Sequence, residues 1–237
     1  MVLLNDNSLI LAAFMPRASS LEKLTLRDLK EEFHLQMSGD PNFFLEWRQN
    51  LPAISEWEHQ RLDRIHAIYE NFNEDSVLEE KLKITIVSPL LDLADFFLPP
   101  FQFSAEEQVQ ISVKDEKKTY RGKIDFLVLQ DQLWLLIIES KRQAFSLSVG
   151  IPQVLTYMLG HLLSHPINQP KVNLQTNPQV NPLYGMVTNG SNFVFLKMML
   201  LDGIPVYAKS DEFLLEKKAD RTCILQILKQ IGRSIQV

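Results

Sequence analysis

The sequence predicts an α+β fold, a mixed but mostly antiparallel central sheet flanked by helices. Three observations lead there. Helical spacing occupies residues 53–90; the pattern then changes to period two across 107–141; helical spacing returns at 151–165 and 220–232, on either side of a hairpin signal at Asn189-Gly190. The chain of 237 residues is 46% hydrophobic and 22% charged, with a formal net charge of −5. That composition suits a globular chain long enough to bury its own core. The single cysteine, Cys223, excludes an internal disulfide framework and is expected to be an inert, buried thiol. The apolar run LWLLII (133–138) is far shorter than the ~18 residues a membrane span needs. Asp6 precedes the apolar LILAAF (9–14) and no basic stretch does, so a secretory leader is not expected. The expectation is a cytoplasmic protein with no membrane partner.

Taken in order, residues 21–37 (LEKLTLRDLKEEFHLQM) read as strand then helix, and Ser-Gly-Asp-Pro at 38–41 as a loop. After Pro52, residues 53–73 place Ile54, Trp57, Leu62, Ile65, Ile68 and Tyr69 near helical spacing. Ser55 and Glu58 form a capping box at the start. Trp57, Tyr69 and Phe72 are expected in the core. A second helix, 76–90, opens at Asp75 or Ser76 and carries the stripe Leu78, Leu82, Ile86, Leu90, before Leu-Pro-Pro at 98–100 stops the pattern. Residues 107–114 alternate with Val109, Ile111 and Val113 on one face, and 118–129 and 133–141 are two further strands in a three-strand meander. Residues 151–165 are helical with Pro152 in the first turn, 166–182 form an Asn- and Pro-rich loop, and a terminal helix covers 220–232. The expected organisation is a mainly helical flank, 1–75, packed on a core of 76–237.

The chemistry concentrates in the hairpin 118–141. Side chains alternate along a strand, so Glu139 and Lys141 share a face. With the turn centred near Asp131, residue 125 lies opposite residue 137, and Asp125 and Glu139 become diagonal neighbours ~7 Å apart. Two such carboxylates reach one hard cation together with a backbone carbonyl. Glu139 and Lys141 also extend the apolar run, where an unpaired charge costs several kcal/mol. The plainer alternative is a strand leaving the core, with Glu139 and Lys141 solvated or paired at its end.

Asp125, the hydrophobic hairpin and Ile137-Ile138-Glu139-Ser140-Lys141 together resemble the PD-(D/E)xK nuclease family. Glu79, on a helix ending in SPLL (88–91), is similar to the family's glutamate helix. Gln153 and Tyr157 are similar to the Q-x-x-x-Y motif of RecB-like nucleases, and YGMVTNGSNFVF (184–195) to the TNG hairpin in the N-terminal nuclease domain of type I restriction enzyme R subunits. The resemblance spans 76–200. Two departures are Ile124, where the family's name has proline, and the small polar Ser140, whose side chain is expected behind the sheet.

This resemblance implies a restriction-endonuclease-like core. It implies that Asp125, Glu139 and the Ser140 carbonyl bind Mg²⁺, for which Mn²⁺ can substitute, with Glu79 (or Glu80) completing the site. Lys141 would position or activate a water, and Gln153 and Tyr157 would orient Lys141 or contact substrate. Lys118, Arg121, Lys123 and Arg142, with Lys114 and Lys117, would meet DNA phosphates; their alternative is an exposed hairpin edge. The implied function is a Mg²⁺-dependent endonuclease hydrolysing DNA phosphodiesters, of restriction or defence type, alone or with separate restriction or motor subunits. The alternative is a non-catalytic nucleic-acid-binding or assembly module, which the negative net charge favours; a purely structural protein is the third reading. Trp57, Ile65 and Ile68 suggest a homodimer through the flank, or equally a face turned to the chain's own sheet. His161 and His165 lack the glutamate of H-E-x-x-H, and Gly122-Lys123 lacks the upstream glycine of a P-loop, so neither zinc nor an ATP-driven motor is expected in these residues.

Overall fold

The computed structural model describes residues 19–20, 24–72, 78–113, 118–130, 133–141, 146–164 and 182–234. The fold class is the expected one: a mostly antiparallel sheet with helices against it. Eight strands form the sheet, in the order β1-β4-β5-β6-β7-β8-β2, with β3 paired to β4. They are β1 (Ser19–Ser20), β2 (Gln36–Met37), β3 (Phe101–Val113), β4 (Lys118–Gln130), β5 (Leu133–Ser140), β6 (Leu183–Thr188), β7 (Asn192–Leu201) and β8 (Ile204–Leu214). The helices are α1 (Leu26–Phe33), α2 (Glu56–Glu70), α3 (Glu79–Leu82), α4 (Ser88–Leu93), α5 (Leu147–Ser164) and α6 (Lys218–Arg233), and a π-helical segment, Lys83–Val87, joins α3 to α4.

Local chemistry explains several boundaries. Thr25 caps α1 and Asp28 returns the bond, accepting from Thr25 N at 2.8 Å; within the described residues 24–37 the helix comes first and the short strand β2 follows it. The α2 start is the expected capping box: Ser55 N and Oγ donate to Glu58 Oε2 at 2.5 and 2.8 Å. Glu58 also takes the Lys229 ammonium of α6. Burial alone would raise the Glu58 carboxyl, but the bonds from Lys229 and Ser55 outweigh it and hold it below the ordinary value of 4.5. A depressed carboxyl contributes stability that is present above that ordinary value and lost as pH falls through the folded one. Glu58→Gln is therefore expected to cost about 1–2 kcal/mol at neutral pH. Urea melts at pH 7 and pH 3 should find the gap from wild type narrowing in acid.

Trp57 corrects an expectation. It is 60% exposed, because it sits in the first turn of α2, with Arg61 over its ring, beyond the face carried by Leu62, Ile65 and Tyr69. Helix α5 begins at Leu147, ahead of the expected start, with Pro152 inside it. The caps expected at Asp75 and Ser76, and most of the loop expected at 166–182, fall outside the described residues.

The sheet divides two cores. On one face Leu82, Ile86, Leu90 and the α6 apolar stripe cover Val128, Leu136, Ile138 and Phe195. On the other, α1 and α5 cover Leu127, Ile137, Val187 and Leu196. Strands β5 and β6 are parallel and joined through α5, so that helix crosses the sheet where β5 ends. Among the described residues no helix is long and apolar enough to cross a membrane.

The β4–β5 register differs from the expected one. Gln130 pairs with Leu133, and a bulge between Val128 and Leu129 slips the ladder by one more residue. Leu127 lies opposite Ile137 and Phe126 opposite Ile138. Carried one step further, Asp125 faces Glu139 directly rather than on the diagonal.

Candidate functional site

The end of β5 opens into a cleft of about 540 Å³, lined by Glu79 and Lys83 from the α3 side, Glu106 and Asp125 from β3 and β4, and Glu139 and Lys141 beside Gln153 of α5. Asp125 and Glu139 are each only 3% exposed. Asp125 Oδ2 accepts from Ser140 N and Ser140 Oγ, both at 2.7 Å, so the Ser140 side chain reaches the site instead of packing behind the sheet. That small hydroxyl is what the departure at this position supplies.

Lys141 is held by three hydrogen bonds. Its N–H donates to Thr188 O at 2.8 Å, extending the parallel β5–β6 pairing by one residue. Its ammonium donates to Glu139 Oε1 at 2.6 Å and to Gln153 Oε1 at 2.8 Å. Gln153 Nε2 donates to the Tyr157 hydroxyl at 3.0 Å, which donates to Lys123 O at 2.9 Å. Gln153 thus orients Lys141, and the fully buried Tyr157 acts behind it, anchoring Gln153 to β4. Gly150 lets α5 come this close: a Cβ there would stand 2.6 Å from Val187 Cγ1 and 3.6 Å from Lys141 Cε.

The Asn189-Gly190 turn packs against the other helix. Gly190 has φ +85°, and a Cβ on it would fall 2.5 Å from Leu82 Cδ2. Gly190 N donates to Thr188 Oγ1 at 2.9 Å. The turn therefore ties the strand beside Lys141 to the helix that carries Glu79.

The sequence of residues 62–199, more than half of the chain, matches the family described as type I restriction enzyme R protein N terminus. The chain belongs to that family. No curated protein matches it. As an R-protein N-terminal domain it carries all of Glu79, Asp125, Glu139, Lys141, Gln153, Tyr157 and the TNG turn inside the matched segment.

The electrostatics set these residues apart. Burial, reinforced by the Asp125 charge and opposed by Lys141, pushes the Glu139 carboxyl up to about 8. Its Oε2 is buried without a hydrogen-bond partner. An oxygen left in that state costs roughly 1–3 kcal/mol unless a proton or a cation meets it.

Two residues that the sequence reading did not single out complete the cleft. Lys83 Nζ lies 2.6 Å from Asp125 Oδ1, 2.8 Å from Glu106 Oε1 and 3.3 Å from Glu79 Oε1. Burial works against that charge, yet Asp125, Glu106 and Glu79 outweigh it and hold the ammonium protonated well above the ordinary lysine range. Glu106 also pairs with Lys123. Its φ of 59° is left-handed, and it interrupts a ladder that is regular on both sides, Ala105 with Phe126 and Glu107 with Ile124. Glu80 lines the cleft too, on its exposed side. Of the basic residues, Lys123 lines the cleft and Arg121 is exposed away from its lining. The Lys118 side chain and all of Arg142 lie outside the described residues, as do Lys114 and Lys117.

The donor set is hard oxygen throughout, which suits Mg²⁺ or Mn²⁺ and not a soft metal. The orphaned Glu139 Oε2 beside Asp125 fits such an ion. Among the described residues, however, no three carboxylates converge as a ready cage, and a lysine stands between Asp125 and Glu79.

Proposed function

We propose that this R-protein N-terminal domain is a nuclease of the PD-(D/E)xK type that hydrolyses DNA phosphodiesters with the help of Mg²⁺, Mn²⁺ substituting. The observation that supports it most is the meeting of Asp125, Glu139 and Lys141, spread over 17 positions of sequence, at one buried strand end with Lys141 fixed by Gln153. Asp125, Glu139 and the Ser140 carbonyl would hold the ion, with Glu79 approaching directly or through water. When bound, the ion supplies a water of lowered pKa and offsets charge on the phosphoryl oxygens. The Lys141 ammonium, fixed between Glu139 and Gln153, would donate a hydrogen bond that orients the attacking water, and the proton that water sheds would pass to solvent. Lys123 and Arg121, on the exposed side of β4, meet the DNA backbone. The division into a flank (1–75) and a core (76–237), a cytoplasmic location, a homodimer and work with separate restriction or motor subunits belong to the same proposal.

Incubation of the full chain with supercoiled and single-stranded DNA, with and without Mg²⁺ or Mn²⁺, tests the reading; metal-dependent cutting is the expected result. Gln153→Leu keeps the apolar bulk but removes both bonds. It should lower the cleavage rate by about 10–100-fold with little change in DNA affinity, measured as rate against DNA concentration. The negative net charge and the lysine inside the carboxylate cluster favour a second reading, a non-catalytic binding or assembly module. Binding of DNA without cutting under every metal condition would move the assignment there.

A further inference from the structure

We propose that Lys83 is a built-in competitor for the divalent ion: its ammonium takes the place beside Asp125 and Glu79 that the ion would occupy, and loading the ion moves Lys83 onto Glu106. The inference rests on the reading of Asp125 and Glu139 as a metal seat.

Geometry carries it. The Lys83 side chain is 12% exposed and its Nζ touches Asp125 Oδ1 at 2.6 Å and Glu79 Oε1 at 3.3 Å, the oxygens a hard cation would use. Asp125 Oδ2 is already taken by Ser140 N and Oγ, so the oxygen under Lys83 is the one left for an ion. An ammonium and a divalent cation cannot both sit on that oxygen, because like charges so close repel strongly even in a well-screened site. Without an ion, the same lysine offsets the repulsion between buried carboxylates, leaving Glu139 Oε2 unmatched.

The way out is also present. Glu106 Oε1 holds the same Nζ at 2.8 Å from the opposite strand, and Glu106 adopts its left-handed backbone at the point where the ladder lapses beside Asp125. Lys83 opens the π-helical segment, an irregularity that recurs at functional sites, and its flexible stem needs only to pivot from one carboxylate to the next. The i, i+4 pair with Glu79 sets the side chain's direction along the helix.

The test is Mn²⁺ binding to the full chain, followed by water-proton relaxation, in wild type, Lys83→Met, Glu106→Gln and Asp125→Ala. The expected result is binding about tenfold tighter in Lys83→Met, weaker than wild type in Glu106→Gln, and absent in Asp125→Ala. Lys83→Gln, polar and of similar reach, should show the same tightening and serves if the methionine variant does not fold. Binding that Asp125→Ala removes but that neither Lys83 variant tightens overturns the competitor and leaves the seat. No Asp125-dependent binding in wild type or in either Lys83 variant overturns the seat itself, and this inference with it.

Discussion

Replacing Asp125 by alanine is expected to lower metal-dependent DNA cleavage by about a thousandfold or more. Asp125 is buried, its Oδ2 is fixed by two bonds from Ser140, and its Oδ1 faces the cleft under Lys83. Lys141→Ala should lose cleavage on a similar scale through a different step: its ammonium bonds Glu139 and Gln153, and removing it leaves Asp125 and the Ser140 backbone untouched. The two variants therefore separate in Mn²⁺ binding, which Asp125→Ala should lose and Lys141→Ala should keep. Asp125→Asn, nearly the same in shape, guards against a folding artefact. Cleavage that survives both substitutions would show the activity to reside elsewhere.

The largest structural effect is expected from Leu82→Ala, at about 3 kcal/mol. Leu82 is 0% exposed and fills the space between the π-helical segment and the TNG turn, where its Cδ2 lies 2.5 Å from the position a Gly190 Cβ would take. Deleting the isobutyl group removes buried apolar contact and leaves a cavity, since the left-handed Gly190 turn cannot collapse into it without losing its own bonds. The helix carrying Glu79 and Lys83 loosens as well. Urea denaturation should record the loss as a lower midpoint with an unchanged slope; a loss under 1 kcal/mol would mean that the turn and the helix do not depend on this contact.

What the sequence could carry was local. The Ser55–Glu58 box, the Asn189-Gly190 turn and the period-two strands are decided by neighbours within a few residues, and each lies where the spacing put it. Asp125, Glu139 and Lys141 were legible because the pattern around them is motif-like. Strand β8 was not read: Pro205 and Lys209-Ser210-Asp211 blur its alternation, yet Asp202-Gly203, both with positive φ, was a usable hairpin signal before it. The β4–β5 register depended on a bulge that no single strand announces. Lys83 and Glu106 were hidden for a different reason. Each looks like an ordinary solvent-facing charge on its own element, and only the fold, across a sequence separation of 23, brings the Lys83 ammonium inward and onto Glu106, which stays exposed at the cleft. Trp57 erred the other way, since helical spacing does not say where the core ends.

The most direct test of the central claim is a crystal of the full chain soaked in Mn²⁺ and measured for anomalous scattering. The account predicts a peak in contact with the Asp125 and Glu139 carboxylates at roughly 2.0–2.3 Å, with Lys141 still on Gln153. A cleft without an ion at saturating Mn²⁺, or an ion bound away from both carboxylates, would contradict it.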